Sequence, residues 1–319
     1  METLTMTTNT IGKDIVVLYH AECSDGLAAA AVLFNKYEGS VDYLPVRYNE
    51  PLPNVAGKEV YILDFSYPPE VLLSPSHGAS SIDMWDHHSS ALDKWKPYLE
   101  EVRRTCGRWE MATYIPSEGV GPVGTLRVIL DMNESGASLT NKLINGDTKS
   151  NVFINHIRDQ DLWKFDIDGT KEFTAKLRSL PQTVSNYAYI MTALNFDEVY
   201  YERFLEEGRM LLGAYQANLD SVLASAKTNK CVLNGVEGLA INCNGMFSSN
   251  VGNALAITSG TFGLAYYISE GMVKCSVRSV KGVGVDVSKL CESLGGGGHK
   301  EAAGFIMPIE KFFDGVLQY

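Results

Sequence analysis

No C-x-x-C pair occurs among the six cysteines of this chain (Cys23, Cys106, Cys231, Cys243, Cys275 and Cys291), which are scattered along 319 residues. That spacing argues against a zinc ribbon and against a disulfide framework, and favours a reducing cytoplasm. No run reaches the roughly 18 apolar residues that a membrane helix needs, so no membrane is expected as a partner. Basic residues are in the minority: 27 Lys and Arg face 38 Asp and Glu, a net charge of −11. This argues against a broad surface for long nucleic acid. A short anionic substrate held at one local site remains compatible with it. Met1 to Thr10 lacks the basic-then-apolar order of a signal peptide and reads as a short disordered lead.

Histidine is scarce, six in all, yet two stand side by side in Met84-Trp85-Asp86-His87-His88-Ser89-Ser90. An acid followed by two imidazoles, where an apolar segment stops, suits a divalent cation and the activation of water on it. An ordinary surface loop is the plain alternative. Neighbouring segments add weight to the metal. Ile15-Val16-Val17-Leu18-Tyr19 is a continuous apolar, β-branched run and reads as a buried parallel strand. After it, His20, Cys23 and Asp25 occupy a strand-to-helix turn, the usual ligand position of an open α/β sheet. Asp25 also suits the N-cap of the Ala-rich helix from Leu27 to Phe34. Val41 to Arg47 and Val60 to Leu63 read as two more strands, the latter ending in Asp64. Ser81 to Trp85 reads as a fourth and delivers Asp86, His87 and His88. Pro68-Pro69 suits the start of a short helix.

Further on, Arg103, Arg104 and Arg108 form a basic cluster that reads as a solvated face. Gly121 to Met132 is expected to be helical. Helical periodicity from Lys149 to Ile157 runs into Asp159 and Asp161, two acids at a helix end, where the helix dipole disfavours them unless a cation is near. Phe196 to Lys227 reads as one or two long helices connecting two domains, its apolar positions serving packing. From Cys231 the texture changes to short β-like runs (Cys231–Leu233, Gly238–Asn242, Phe262–Ile268 and Val273–Val280), with helices over Ser248–Thr258 and Val285–Leu294. Then come Gly295-Gly296-Gly297-Gly298-His299-Lys300. A glycine run exposes backbone N–H groups in a nest that suits a phosphate or carboxylate. Arg278 can add a bidentate clamp.

Together, Asp86-His87-His88 and the closing GGGGHKEAAGF resemble the DHH phosphoesterase superfamily with a C-terminal DHHA1 substrate domain. The resemblance spans His20 to Phe305, and the oligoribonuclease (nanoRNase) and cyclic-nucleotide phosphodiesterase-like subgroup is the nearest. It implies an α/β fold: a DHH catalytic domain over 12–195 with a mainly parallel sheet flanked by helices, a helical connector over 196–228, and a smaller α/β DHHA1 domain over 229–319. It also implies two divalent cations, Mn²⁺ or Mg²⁺, in a cleft between the domains. His20, Cys23 and Asp64 would surround one ion, and Asp25, Asp64 and His87 the other. The fourth-motif acid would be Asp159 or Asp161. Asp86 and His88 would orient His87 and contact the phosphate. Arg278, His299 and the backbone of Gly296, Gly297 and Gly298 would hold a terminal phosphate or base.

The implied activity is phosphodiester hydrolysis of short RNA or DNA oligonucleotides or dinucleotides. A cyclic-dinucleotide phosphodiesterase and a catalytically weak nucleotide-binding protein are the alternatives. A homodimer is compatible with all three. One position departs from the family. Cys23 stands where an acid is usual, so either the first metal site is weakened or, since a thiolate favours Zn²⁺ or Fe²⁺ over Mn²⁺, the metal preference changes; alternatively Cys23 points into the core. The sequence offers no obvious stacking platform for bases, which disfavours long single strands.

Overall fold

The computed structural model describes residues 12–106, 111–114, 125–146, 151–282 and 284–318. The N-terminal lead, Arg108 and positions 121–124 of the expected helix lie outside them. The chain divides into two compact units, Met1–Leu212 and Gly213–Tyr319.

The first unit is built on a six-stranded sheet. Its strands are β1 (Ile15–His20), β2 (Val41–Val46), β3 (Glu59–Leu63), β4 (Ser81–Asp86), β5 (Met111–Tyr114) and β6 (Thr125–Asp131). They lie in the order β2-β1-β3-β4-β6-β5. The first five strands across are parallel, and β5 closes the edge antiparallel to β6. Alternate side chains of each strand bury opposite faces, the period-two rule of a pleated sheet. Val17, Tyr61, Leu63, Trp85 and Ile129 join one core and Val16, Leu18, Ile62, Met84 and Val128 the other.

The first core is covered by α1 (Ser24–Tyr37), α4 (Gly136–Asn145), α5 (Val152–Asp161), α6 (Thr170–Arg178) and α7 (Val184–Phe196), together with Phe204 of α8 (Glu198–Ser225). Ala28 to Ala31 of α1 are fully buried there. The second core takes Leu72 of the short α2 (Pro69–Leu72) and Ala91 and Trp95 of α3 (Ser89–Cys106).

One expected element is wrong. Thr125–Asp131 is a strand, where a helix was read over Gly121 to Met132. Leu126, Val128 and Leu130 bury one face and Ile129 the other. A run buried on both faces has no period to tell strand from helix, and its β-branched residues fit the sheet between β4 and β5.

The second unit holds a seven-stranded sheet of β7 (Asn229–Leu233), β8 (Val236–Asn242), β9 (Phe262–Ser269), β10 (Met272–Ser279), β11 (Gly297–His299), β12 (Ala302–Pro308) and β13 (Leu317–Gln318). The order is β11-β12-β10-β9-β8-β7-β13. Only β8 and β9 pair in parallel. Val251 and Leu255 of α9 (Ser248–Ser259) cover one face with Ile241 and Ala265. Leu290 of α10 (Val287–Glu292) and Phe312 of α11 (Ile309–Gly315) cover the other with Leu264 and Val277. The α10 helix is shorter than the Val285–Leu294 read from the sequence. Among the described residues, no helix is long and apolar enough to cross a membrane.

Candidate metal centre

Every parallel strand of the first unit points its carboxyl end the same way, so residues just past those ends gather at one edge. His20 closes β1, Asp64 follows β3, and Asp86 closes β4 ahead of His87 and His88. Asp64 continues the ladder, its N–H donating to the Trp85 carbonyl at 3.0 Å, and then turns the chain with φ +65°. A positive φ at an aspartate costs free energy, which the site absorbs.

His87 Nε2 faces three carboxylates: Asp64 Oδ1 at 3.1 Å, Asp161 Oδ2 at 3.5 Å and Asp25 Oδ2 at 3.7 Å. His20 Nδ1 lies 3.6 Å from Asp64 Oδ2. Three groups of potential ligand atoms lie within 4.8 Å of one another: His20, Cys23 and Asp64; Asp25, His87 and Asp161; and Asp64, Asp86, His87 and His88. Asp64 and His87 each belong to two of these groups. Cys23 therefore faces the cluster, against the reading that it points into the core.

Asp159 and Asp161, left open by the sequence, part ways. Asp161 joins His87, while the Asp159 carboxylate accepts from Asp166 N (2.8 Å), Ile167 N (3.2 Å) and Thr170 Oγ1 (2.6 Å). Asp159 is thus a clamp on the loop that leads into α6. Burial works against its charge, but those donors hold its carboxyl below the usual range.

Asp86 holds the His88 ring, Oδ1 to Nδ1 at 2.7 Å. Its Oδ1 also accepts from the backbone N–H of His87, and its Oδ2 from Ser66 Oγ. The ring it orients is that of His88, whereas the resemblance put it on His87.

The electrostatics are those of a site short of positive charge. Burial, then the charges of Asp64 and Asp161, raise the Asp25 carboxyl well above its ordinary value. Burial and Asp64 push Asp161 up to about 6. Cys23 is raised by burial, Asp64 and Asp25. Asp64 stays low: burial opposes it, but the His20 ring at 3.6 Å and the His87 ring hydrogen-bonded to it outweigh burial. His87 rises to about 10, against burial, through Asp64 and then the other acids. Among the described residues the ion-pair partners of Asp25, Asp64 and Asp161 are histidines only. His20 Nδ1 and Asp64 Oδ2 are buried without a hydrogen-bond partner. Unpaired buried donors and acceptors are costly, and crowded oxygen and nitrogen ligands fit hard or borderline divalent cations.

Some residues that build this centre were not found from the sequence. Asp25 accepts from Ser135 Oγ at 2.7 Å, from Gly136 N, and from Ala137 N at 3.0 Å, so the start of α4 holds its carboxylate. A Cβ on Gly136 would sit 2.5 Å from the Asp64 Cβ, and one on Gly26 would sit 2.6 Å from the His20 carbonyl oxygen. Both glycines are therefore required by close approach. The available signal was Ser135-Gly136-Ala137-Ser138 after an apolar run, a capping box in the structure. Tyr48, half-exposed, presents its ring edge-on to His20 at 4.7 Å and lies 6.2 Å from the His88 ring. Its position beside the cluster puts an aromatic ring where the sequence offered no platform.

Comparisons with known proteins find similarity both in sequence and in structure. An uncharacterized protein, R106, of Acanthamoeba polyphaga mimivirus is 24% identical over 341 residues, covering 95% of this chain and 72% of that protein. The solved structure of a pGpG-specific phosphodiesterase, PggH from Vibrio cholerae, aligns over 95% of this chain and 96% of that one. Its TM-score is 0.49 and its sequence identity 13%. No family model matches the chain.

In the second unit the glycine run is not an open loop. Gly297, Gly298 and His299 form the edge strand β11, paired with Gly304, Ala303 and Ala302. Gly296 packs so close to the Gly304 carbonyl that a Cβ would lie 2.1 Å from it. Arg278 pairs with Ala302, which pairs with His299, so the two polar residues share one row of the sheet. The Arg278 guanidinium donates to Ser249 Oγ at 2.9 Å and to its neighbour's carbonyl, Val277 O, at 3.0 Å.

Proposed function

We propose that this chain is a metal-dependent phosphodiesterase of the DHH/DHHA1 kind, acting on short oligonucleotides or dinucleotides. The observation that carries the reading is the cluster itself. Three carboxylates converge on one imidazole nitrogen, with no lysine or arginine among their described partners. Such a set is stable when cations complete it. His20, Cys23, Asp25, Asp64, His87 and Asp161 are the residues to hold two divalent cations: the three carboxylates suit Mn²⁺, and the Cys23 thiolate draws its own group toward a softer metal. Bound there, divalent cations supply Lewis-acid charge and lower the pKa of water, the chemistry that phosphodiester hydrolysis requires.

The chain's own residues then have distinct tasks. Asp64, beside His20 on one side and His87 on the other, links the two ligand groups. The start of α4 keeps the Asp25 carboxylate aimed at His87. Asp86 orients His88 through Nδ1 so that its imidazole can hydrogen-bond a phosphate oxygen. In the second unit, Arg278, His299 and the backbone of Gly296, Gly297 and Gly298 are the candidates for a terminal phosphate or base.

The test is release of mononucleotides from a 5′-phosphorylated RNA dinucleotide with Mn²⁺, beside Asp64→Ala. Turnover by the wild type, lost by orders of magnitude in the variant, is expected. Binding of the dinucleotide without turnover in Mn²⁺, Mg²⁺, Zn²⁺ and Fe²⁺ would overturn the enzyme reading. Cys23 among the ligands favours a softer metal. Metal content after chelator-free purification, beside Cys23→Asp, checks that preference, and equal Mn²⁺ occupancy in both proteins would refute it.

A further inference from the structure

We propose that Tyr48 is a substrate-contacting residue of this centre, its phenolic hydroxyl donating a hydrogen bond to a non-bridging oxygen of a phosphate diester beside His20 and His88. The inference rests on the phosphodiesterase reading and extends it to a residue outside the metal-binding set. Tyr48 follows β2 in a tight turn. Glu50 N donates to the Arg47 carbonyl at 3.1 Å, and Arg47 N donates to Glu50 Oε2 at 3.0 Å. The Arg47 guanidinium pairs with both Glu22 and Glu50. Glu22 lies in the turn after β1 that carries Cys23, so the ion pairs tie the Tyr48 turn to the wall of the cluster. Two sides of the ring are fixed, edge-on to His20 and to His88.

Tyr48 is 50% exposed, which leaves it open to a ligand from solvent. Burial, and then the charges of Asp86 and Asp64, raise its hydroxyl above the ordinary phenol value. It makes no hydrogen bond among the described residues. A phenol with an ordinary pKa near 10 is neutral at pH 7 and carries one O–H to give. Beside carboxylates it cannot serve as a further anionic ligand without added repulsion. Toward a phosphate brought to the same place, it is a donor already held in position. Hydrogen bonds to charged acceptors are the strong ones.

Tyr48→Phe removes the O–H and keeps the ring. With Mn²⁺ and an RNA dinucleotide, kcat/KM should fall about tenfold to a hundredfold, as expected for one hydrogen bond to a charged group. Mn²⁺ affinity, by calorimetric titration, should be unchanged. The Rp and Sp phosphorothioate dinucleotides give the readout that a structural role would not move. Sulfur is a poor acceptor, so the Tyr48→Phe penalty should nearly vanish for one diastereomer and persist for the other. An equal penalty on both, or a loss of Mn²⁺ affinity, would overturn the proposal.

Binding of adenosine 5′-monophosphate with Mn²⁺ separates this inference from the parent reading. If the wild type does not turn over any dinucleotide, the phosphodiesterase reading fails. Weaker nucleotide binding by Tyr48→Phe would then still support the contact, and equal binding would overturn it.

Discussion

Asp159 and Asp161 show how two identical side chains, two residues apart, are assigned opposite work. Successive helical residues turn by about 100°, so positions two apart point to nearly opposite sides. Only one can face the cluster, and the sequence alone carries no sign of which. Asp159→Asn should destabilise the fold by about 1–3 kcal/mol, since it weakens an acceptor for two backbone N–H groups and the Thr170 hydroxyl, while Mn²⁺ binding persists. Asp161→Asn should do the reverse. It relieves repulsion with Asp64 in the metal-free protein, raising its melting temperature or leaving it unchanged, and it weakens Mn²⁺ binding. Urea denaturation and metal titration of the two variants side by side check both halves. Gly136 poses a sharper constraint. Its missing side chain is the space Asp64 occupies. Gly136→Ala should cost roughly 1–3 kcal/mol in overpacking and displace Asp64, lowering Mn²⁺ affinity. Gly213→Ala, where an added Cβ meets nothing within 4 Å in α8, should instead stabilise by up to about 1 kcal/mol.

At the scale of elements, α5, α6 and α8 are joined through His156. The Tyr201 hydroxyl reaches its Nε2 at 2.8 Å, its Nδ1 reaches Thr170 Oγ1 at 2.8 Å, and that hydroxyl donates to Asp159. Since Thr170 gives its hydrogen to Asp159, the Nδ1–H must be the donor to Thr170, and Nε2 accepts from Tyr201. The chain is complete with a neutral ring. The ring also stacks on Phe173, 4.7 Å between centroids. Burial lowers its pKa to about 4, against the opposing charges of Asp159 and Glu172. The unfolded chain, near 6.5, therefore binds more protons between pH 6.5 and 4, and stability rises with pH across that window. It is fully present above 6.5 and falls as the pH drops toward 4, by at most roughly 3 kcal/mol from this residue. Asp161, raised to about 6, works in the opposite sense over part of the same range. The measurement is therefore a difference: urea midpoints of wild type and His156→Gln from pH 7 to 4. The variant should be less stable at pH 7 and lose less on acidification; parallel curves would refute the assignment. The strand-end acids and the long helix α8 were legible because apolar runs and their polar stops are local signals. The β6 strand, the clamp at Asp159 and the α4 start that grips Asp25 were not. Each acquires its meaning from a partner far along the chain; Ser135 lies 110 residues from Asp25.

For the whole molecule, the chain separates its chemistry by unit. The acid–imidazole cluster belongs wholly to Met1–Leu212, and the Arg278–His299 row belongs to Gly213–Tyr319, each with its own pair of apolar cores. A cation bound only by the folded cluster stabilises that unit by mass action, about 2.7 kcal/mol at one hundred times its Kd. Relief of the repulsion among Asp25, Asp64 and Asp161 is the molecular source of that gain. Amide hydrogen exchange reads it peptide by peptide. Mn²⁺ should slow exchange at the ends of β1, β3 and β4, in the first turn of α1 and at the start of α4, where Gly136 and Ala137 donate to Asp25. Exchange in β8, β9 and β10 should be the same with and without the metal. Protection spread evenly over both units would show that the cation acts elsewhere, and protection that survives Asp64→Asn would remove the shared ligand from its central place. In a separate measurement, a nucleoside monophosphate should slow exchange in β11 and at the Arg278 end of β10, because His299 with the glycine backbone and Arg278 lie there.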